Sequence, residues 1–475
     1  MEGQPQMIPV TREISSCKDK TLRYYFNDMF TNSKRKLKVL SLLGGLLLGS
    51  SLWAQGPMSL RECIDYGLKH HSLNTISNNE IAIAKHRVRE GLSGYLPQVN
   101  GQVAIDDNLI RPTTVIPAGT FGPEEIRVQF GNQYNTMATV QLDQVVYDRS
   151  MLLGLKALDP YADLAVLNKE KNEQSLMYGI AMSYYGVQIY MEQAQLLKDN
   201  ETKFQKMADV LKLQVEQGVA RKIDYDRIAI TVANLRSQQQ VVDNEIELAV
   251  NRLKNAMGMA LDEPLEVQGG EWSKEDALNV NGPVAGTGRV MDLYIQQKTI
   301  VMQELDIRRK RAMYLPTVGV YGRIGAQAFG DKFFQSYENW YGFASIGLNL
   351  RVPIWNSFRT DAGIKQAQLT LSNINENLRM TKNNIELQQT NAETQWRNAQ
   401  TNLETNKQNI ALAKDMLDVT QLQVEKGVAT LSDLLNADYA YKEAQTNYVT
   451  SLLKVLTARL EYEKAQGTLQ TFLLQ

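Results

Sequence analysis

An eight-residue motif that occurs twice constrains the fold of this chain more than any other feature. LQVEQGVA fills positions 213–220 and LQVEKGVA fills 422–429, so seven of the eight positions agree. The copies lie about two hundred residues apart, and each sits between two long polar segments of helical character. An internal duplication explains this better than chance, and it determines how the rest of the chain is divided.

The distribution of proline predicts where long helices lie. No proline occurs between Pro160 and Pro264, and none follows Pro353. Because a proline inside a helix costs about 3 kcal/mol, both stretches favour uninterrupted helix. The second stretch also has residues at the 3-4-3-4 spacing of a coiled-coil seam, namely Ile410, Ala413, Leu417, Thr420 and Val424.

The repeated glycine predicts the turn of a helical hairpin. Gly427 is the only glycine between Gly363 and Gly467, and a glycine directly after a helix typically takes the left-handed conformation that ends it. In this copy Thr430 can cap the next helix, with Asp433 in its first turn.

The first copy keeps the acidic position as Asp224 but has Arg221 in place of the capping threonine. Whether Arg221 or Lys222 pairs with Asp224 stays open from the sequence. Each motif is predicted to be the tip of two antiparallel helices, with arms of about 60 residues that reach about 90 to 100 Å.

Period-two alternation predicts two β-hairpins, at about 97–147 and 316–355, with turns in 109–133 and 326–339. In 341–352 the apolar set is Ala344, Ile346, Leu348, Leu350 and Val352, opposed by Ser345, Asn349 and Arg351. The counterpart in the first repeat sets Ala138, Val140 and Leu142 against Thr139, Gln141 and Asp143. A transmembrane strand and a strand of a soluble half-buried sheet would both give this pattern.

Aromatic residues near the strand ends favour the membrane. The residues expected at a membrane interface are Tyr147, Phe333, Phe334, Trp340, Tyr341 and Trp355. Four strands cannot close a barrel, and lipid does not tolerate an open sheet edge, so the strands must be shared between chains. Two chains give eight strands and too narrow a lumen, whereas three give twelve and a channel.

The N-terminal region has the layout of a secretory signal. Basic residues in 34–38 precede an apolar run at 39–52, and Ala54 is a small residue before the expected cut. A membrane anchor is the competing interpretation, but the run is short for one. We expect a leader at 1–54, with Met29 as a second candidate for the start.

Composition argues against several other classes. The net charge is −1 and no basic stripe indicates a nucleic-acid partner. Cys17, Cys63 and three histidines offer no zinc pattern, so no metal is expected. No nucleotide-binding loop or catalytic constellation is found in the sequence, so we expect neither a cofactor nor enzyme activity.

The order of several motifs resembles the TolC family of outer-membrane channel proteins of Gram-negative efflux and secretion systems. The resemblance spans about 57–467 and rests on MSLRECI at 58–64, GYLP at 94–97, the strand exits QVVYD at 144–148 and VPIWN at 352–356, and the two tips. It implies a mixed α/β membrane protein with internal duplication. A long antiparallel α-helical coiled-coil barrel would join a transmembrane β-barrel of four strands per chain and twelve in a homotrimer.

The resemblance also implies roles for the tips. A periplasmic adaptor protein, connected to an inner-membrane pump, would contact Gly218, Val219, Ala220, Gly427, Val428 and Ala429. A constriction of the entrance would include Asp433, Asn436 and Asp224. The best-known members have an acidic residue where Asn436 stands, and they lock the closed entrance with a tyrosine and an arginine where this chain has Val424 and Ala429. Any lock must be built differently here.

These observations predict a passive exit duct in the outer membrane for small molecules or polypeptides. A surface coiled-coil adhesin or scaffold would share the proline-free helices but needs no duplicated hairpin pair. An enzyme acting on envelope polymers would need a pocket with paired carboxylates or a nucleophile. The expected boundaries are a first repeat at 55–272, a linker or equatorial segment at 273–287 and a second repeat at 288–475.

Overall fold

The computed structural model describes residues 56–119, 122–129, 131–269 and 288–474. The predicted leader 1–54 and linker 273–287 lie outside these ranges. The first repeat contains α1 (Leu60–His70), α2 (Ser72–Ser93), β1 (Gln98–Asp107), β2 (Thr113–Ile116), β3 (Ile126–Gln129), β4 (Tyr134–Tyr147), α3 (Arg149–Lys156), α4 (Leu158–Glu216) and α5 (Lys222–Met257). The second contains α6 (Met291–Ala312), β5 (Thr317–Gly330), a 3-10 turn (Gln335–Tyr337), β6 (Trp340–Arg351), α7 (Arg359–Glu425), α8 (Leu431–Gln466) and α9 (Leu469–Leu474).

Each repeat contains one helical hairpin, α4 with α5 and α7 with α8. The outgoing helices have 59 and 67 residues, so each rises about 90 to 100 Å, as predicted. The return helices have only 36 residues each, so the predicted length of about 60 residues is wrong for them. Each return helix ends at a left-handed glycine, Gly258 or Gly467, which has no β-carbon to oppose that conformation.

Apolar clusters hold the helices together along their shared faces. The largest joins α1 to α4, α5, α8 and α9, and its buried members include Cys63, Ile64, Met177, Ile180, Leu253, Met257, Leu460 and Leu469. Near the tips, one cluster around Phe204 and Ile228 packs α4 on α5, and another around Leu417 and Leu434 packs α7 on α8. Met207 contacts both of these clusters, so the two hairpins share apolar packing close to their tips.

The long strands form one antiparallel sheet in the order β1-β4-β5-β6, with β1 and β6 at its edges. The loop predicted at 109–133 also contains a two-stranded ribbon of β2 and β3. The turn predicted at 326–339 begins later than expected, because β5 continues to Gly330. There β4 still supplies a partner, Tyr134.

The side chains of the sheet separate into one apolar and one polar face. Paired residues in an antiparallel sheet share a face, and the series Gly101, Val140, Ile324 and Ala344 carries the apolar face across all four strands. Its exposed members include Val99, Val103, Ile105, Val140, Leu142, Ile324, Ile346, Leu348 and Leu350. A soluble half-buried sheet would bury such a face, whereas here Ile346 is 84% exposed.

In the part of the chain described above, no helix is both long enough and apolar enough to cross a bilayer.

Candidate functional site

The two hairpin tips have the same backbone. Gly218 and Gly427 have φ angles of +74° and +72°, which confirms the predicted left-handed glycines. The valine after each glycine donates its N–H to the carbonyl five residues earlier, over 2.8 Å and 2.9 Å. This is the Schellman arrangement, which satisfies the last carbonyls of the helix. Val219 and Val428 remain exposed, so each tip presents an apolar side chain to the solvent.

The second tip starts its return helix with a capping box. The Asp433 N–H donates to Thr430 Oγ1 over 3.2 Å, and the Thr430 N–H donates to Asp433 Oδ2 over 2.9 Å. The Thr430 hydroxyl also donates to Asp433 Oδ2 over 2.7 Å. These bonds, first from the side chain and then from the backbone of Thr430, lower the pKa of Asp433. The predicted threonine cap is confirmed.

The first tip starts its return helix with an ion pair instead. Arg221 occupies the N-cap position without a side-chain cap. Its Nε donates to Asp224 Oδ2 over 2.9 Å and its Nη2 to Asp224 Oδ1 over 3.3 Å. Arg221 is therefore the partner of Asp224, the choice that the sequence left open. The Arg221 side chain is 79% exposed while that of Asp224 is 14% exposed, so the tip presents positive charge.

The three residues predicted at a constriction form two separate groups within one chain. Asp433 and Asn436 are exposed and three residues apart on α8, so they lie on one face of that helix. Asp224 lies on α5 in the other hairpin, where Arg221 holds its carboxylate.

Polar contacts between the two hairpins were missed by the sequence analysis. Asn200 Nδ2 on α4 donates to Gln445 Oε1 on α8 over 2.9 Å, and both side chains are buried. Lys203 Nζ on α4 donates to Asp418 Oδ1 on α7 over 3.4 Å. These bonds connect the first hairpin to both helices of the second.

A buried carboxylate lies beside these contacts. Asp438 on α8 is 2% exposed and pairs with Lys442 over 2.7 Å, while Lys442 Nζ lies 5.5 Å from the centroid of the Phe204 ring on α4. Burial raises the pKa of Asp438, and Lys442 opposes that shift. The sequence does contain one sign of these buried polar residues. Asp438 and Gln445 stand seven residues apart on α8, a spacing that places both on the same stripe of the helix.

The predicted interface aromatics do not all share a face. Trp340 pairs with Ala328 on the apolar face, whereas Tyr341 pairs with Gln327 on the polar face. Trp340 and Tyr341 therefore lie on opposite faces of the sheet, because adjacent residues of a strand point to opposite sides. The remaining aromatics lie beyond the strand ends or at them, with Phe333 and Phe334 after β5, Tyr147 at the end of β4 and Trp355 after β6.

Comparison with known proteins agrees with this architecture. A family model described as outer membrane efflux protein matches residues 303–468. The chain is 23% identical to the outer membrane protein TolC of Salmonella enteritidis over 357 residues, which cover 71% of this chain and 70% of the relative. It is 21% identical to the probable efflux pump outer membrane protein SepC of Pseudomonas putida over 426 residues, 86% of this chain and 83% of the relative. The crystal structure of the outer membrane protein VceC of Vibrio cholerae superposes with a TM-score of 0.67 at 14% identity, covering 86% of this chain and 96% of that one.

Duplicated helical hairpins joined to a sheet with an exposed apolar face make up the fold that this chain shares with VceC. The chain is similar to the TolC family of outer-membrane efflux and secretion channel proteins in its sequence and in its fold. The predicted localisation, the outer membrane of a Gram-negative bacterium with a helical extension into the periplasm, is confirmed.

Proposed function

We propose that three copies of this chain assemble into one passive exit duct of a tripartite efflux or type I secretion system. Each copy contributes its four-stranded sheet to a twelve-stranded barrel, and its helical hairpins to a periplasmic tunnel. An inner-membrane pump delivers the cargo through a periplasmic adaptor and supplies the energy. The cargo is a small molecule, such as a drug or toxic compound, or a polypeptide.

The sheet carries this proposal, because it combines an exposed apolar face with two edge strands. Unpaired backbone groups at a sheet edge are costly in lipid, where no water can bind them. Pairing β1 of one copy with β6 of the next removes every edge. The apolar face then contacts lipid and the polar face lines the lumen, the arrangement of a membrane barrel.

We assign contact with the adaptor to the two tips, Gly218–Ala220 and Gly427–Ala429. Support comes from their exposed position at the ends of the hairpins and from the apolar side chains of Val219 and Val428. The two tips differ in charge, so they offer the adaptor two different surfaces.

We assign the constriction to Asp433 with Asn436, and place Asp224 at its margin. Hydrogen bonds from Thr430 keep the pKa of Asp433 below its ordinary value, so this carboxylate is charged at neutral pH. Three copies around a narrow mouth give a negative field that attracts cations and weakens with added salt.

The closed entrance is held by contacts between the hairpins rather than by residues at Val424 and Ala429. Val424 packs against the apolar cluster of α7 and α8 and has no polar atom in its side chain. Two polar contacts can supply the missing lock, Asn200 with Gln445 and Lys203 with Asp418. Opening then requires the second hairpin to move away from α4 and break both.

Recordings of purified protein in planar bilayers test this function. We expect stable channels, and we expect Asp433→Ala to raise the conductance or reduce block by cations. Asp415→Ala, a change at an exposed aspartate on α7, serves as the matched control and leaves the record unchanged. A record for Asp433→Ala identical to that of the wild type would exclude a ring of three Asp433 carboxylates at the entrance. A protein that forms no channel would contradict the whole proposal.

A further inference from the structure

A row of aromatic side chains lies on the polar face of the sheet, where the proposed channel has its lumen. Along β5 and β6 the paired positions are Tyr321 with Gly347, Arg323 with Ser345, Gly325 with Phe343, and Gln327 with Tyr341; Phe329 follows at the next position of β5 on this face. Paired residues share a face, so Tyr321, Phe343, Tyr341 and Phe329 form one series, which we name the aromatic row. From residue 321 to 329 the strand rises about 27 Å.

Two rings of the row lie over glycines of the neighbouring strand. A β-carbon built at Gly347 would be 2.5 Å from Tyr321 Cζ, and one at Gly325 would be 2.8 Å from Phe343 Cζ. The rings therefore occupy the space that side chains at these glycines would take, and they lie along the wall. Further along, the rings of Phe329 and Tyr341 have centroids 6.2 Å apart.

Arg323 interrupts the row with a positive charge. Its Nε donates to Ser345 Oγ over 2.8 Å, and its Cζ lies 5.9 Å from the centroid of the Phe343 ring. Because Ser345 is neutral, it positions the guanidinium without neutralising it. Asp143 is the acidic residue paired with Tyr321 on this face, and it accepts a hydrogen bond from Gln141 Nε2 over 2.9 Å.

From this geometry, and resting on the proposed function, we propose that the aromatic row with Arg323 is a binding track on the lumen wall for cargo that combines a flat aromatic ring with an anionic group. Aromatic faces stack on flat rings, and a guanidinium donates paired hydrogen bonds to a carboxylate or sulfonate. Because aromatic side chains of the row lie on both sides of Arg323, the ring of the cargo can stay stacked on the wall while its anionic group moves past the arginine.

Block of single channels by 2-naphthoate tests the track. The half-blocking concentration rises about fivefold in Arg323→Gln, since an exposed ion pair contributes about 1 kcal/mol. In Phe343→Leu it also rises about fivefold, because the leucine fills space but has no ring to stack. Arg351→Gln is the matched control, because it removes an arginine of β6 that lies on the same polar face of the sheet but outside the aromatic row. We expect it to leave the block unchanged. Cyclohexanecarboxylate, with the same charge and no aromatic ring, blocks more weakly than 2-naphthoate.

Three results would overturn this inference while leaving the channel itself intact. The first is that 2-naphthoate blocks Arg323→Gln as strongly as it blocks the wild type. The second is that cyclohexanecarboxylate blocks the wild type as strongly as 2-naphthoate does, and the third is that a neutral disaccharide blocks it more strongly. Each of these would exclude a track for aromatic anions. Arg323→Gln changes no packed ring, so it remains informative if Phe343→Leu does not assemble. Failure of the wild-type protein to conduct would instead contradict the proposed function.

Discussion

The two hairpin tips share a backbone but not a surface. Both end their outgoing helix with a left-handed glycine and the same hydrogen bonds. They then begin the return helix differently, with the exposed Arg221 paired to Asp224 at the first tip and with a box of Thr430 and Asp433 at the second.

This difference shows which part of the duplicated motif is physically constrained. The reversal of the chain depends on a glycine with positive φ and on backbone N–H groups, so it stays the same in both copies. The first turn of the next helix needs only some favourable partner for its N–H groups and its dipole. Its side chains can therefore differ, as an ion pair of Arg221 with Asp224 at the first tip and hydrogen bonds of Thr430 with Asp433 at the second.

The largest expected effect comes from breaking what the tips share. Gly218→Val and Gly427→Val should each destabilise their tip by about 1 to 2 kcal/mol and abolish export, because a β-branched residue resists the left-handed conformation. No atom lies within 4 Å of a β-carbon built at either glycine, so the effect is one of backbone conformation. Hydrogen exchange at the Val219 and Val428 amides of the assembled protein, with an export assay, measures it.

Gly218→Asn and Gly427→Asn are the matched controls, since asparagine tolerates positive φ. Normal export and exchange in correctly assembled valine variants would remove the argument from the glycines.

A smaller effect distinguishes the two helix starts. Thr430→Ala should weaken the first turn of α8 by about 1 kcal/mol, whereas Arg221→Ala should weaken that of α5 by less than about 0.5 kcal/mol because the arginine of its ion pair is exposed. Exchange rates of the first-turn amides report both. A larger loss in Arg221→Ala would reverse the comparison.

A substitution at the first tip can make the start of its return helix more like that of the second tip. Arg221→Thr places a threonine three residues before Asp224, the spacing of the box at the second tip. We expect slower exchange in the first turn of α5, by about 0.5 kcal/mol. Arg221→Val, which has a branched side chain without a hydroxyl, should give no such gain, and equal protection in both variants would show that the hydroxyl plays no part.

The smallest effect depends on pH. Because the pKa of Asp433 is lowered in the folded protein, its stabilising contribution is present above the ordinary value of 3.8 and is lost as the pH falls through the lowered pKa. First-turn amides of α8 should lose protection over that range in the wild type and lose less in Thr430→Ala, which keeps only the backbone hydrogen bond to Asp433. The same pH response in both would show that the box does not cause it.

The sequence predicted features that depend on local chemistry and missed those that depend on a distant partner. Proline and glycine located the hairpins and their tips because their effects on the backbone are intrinsic. The extension of β5 to Gly330 could not be predicted, since pairing with β4 stabilises it rather than the propensity of its residues. The contact of Asn200 with Gln445 joins helices far apart in the chain, so no local pattern specifies it.

The faces of the aromatic residues, in contrast, could have been assigned from the sequence. Trp340 and Tyr341 are adjacent in a strand, so their alternation already separated them in the sequence. A count of aromatic residues that assigns no faces does not separate these two residues, and so it does not reveal the row on the polar face.

Cross-linking between the sheet edges tests the central claim most directly. Each variant chain carries one introduced cysteine on β1, at Asn100 or Gln102, and one on β6, at Ser345 or Asn349. The membrane-embedded protein is then oxidised. If β1 of one copy pairs with β6 of the next, at least one combination gives a ladder of products that ends at the trimer. A ladder that continues past three copies, or monomer alone in every combination, would contradict a wall shared by three chains.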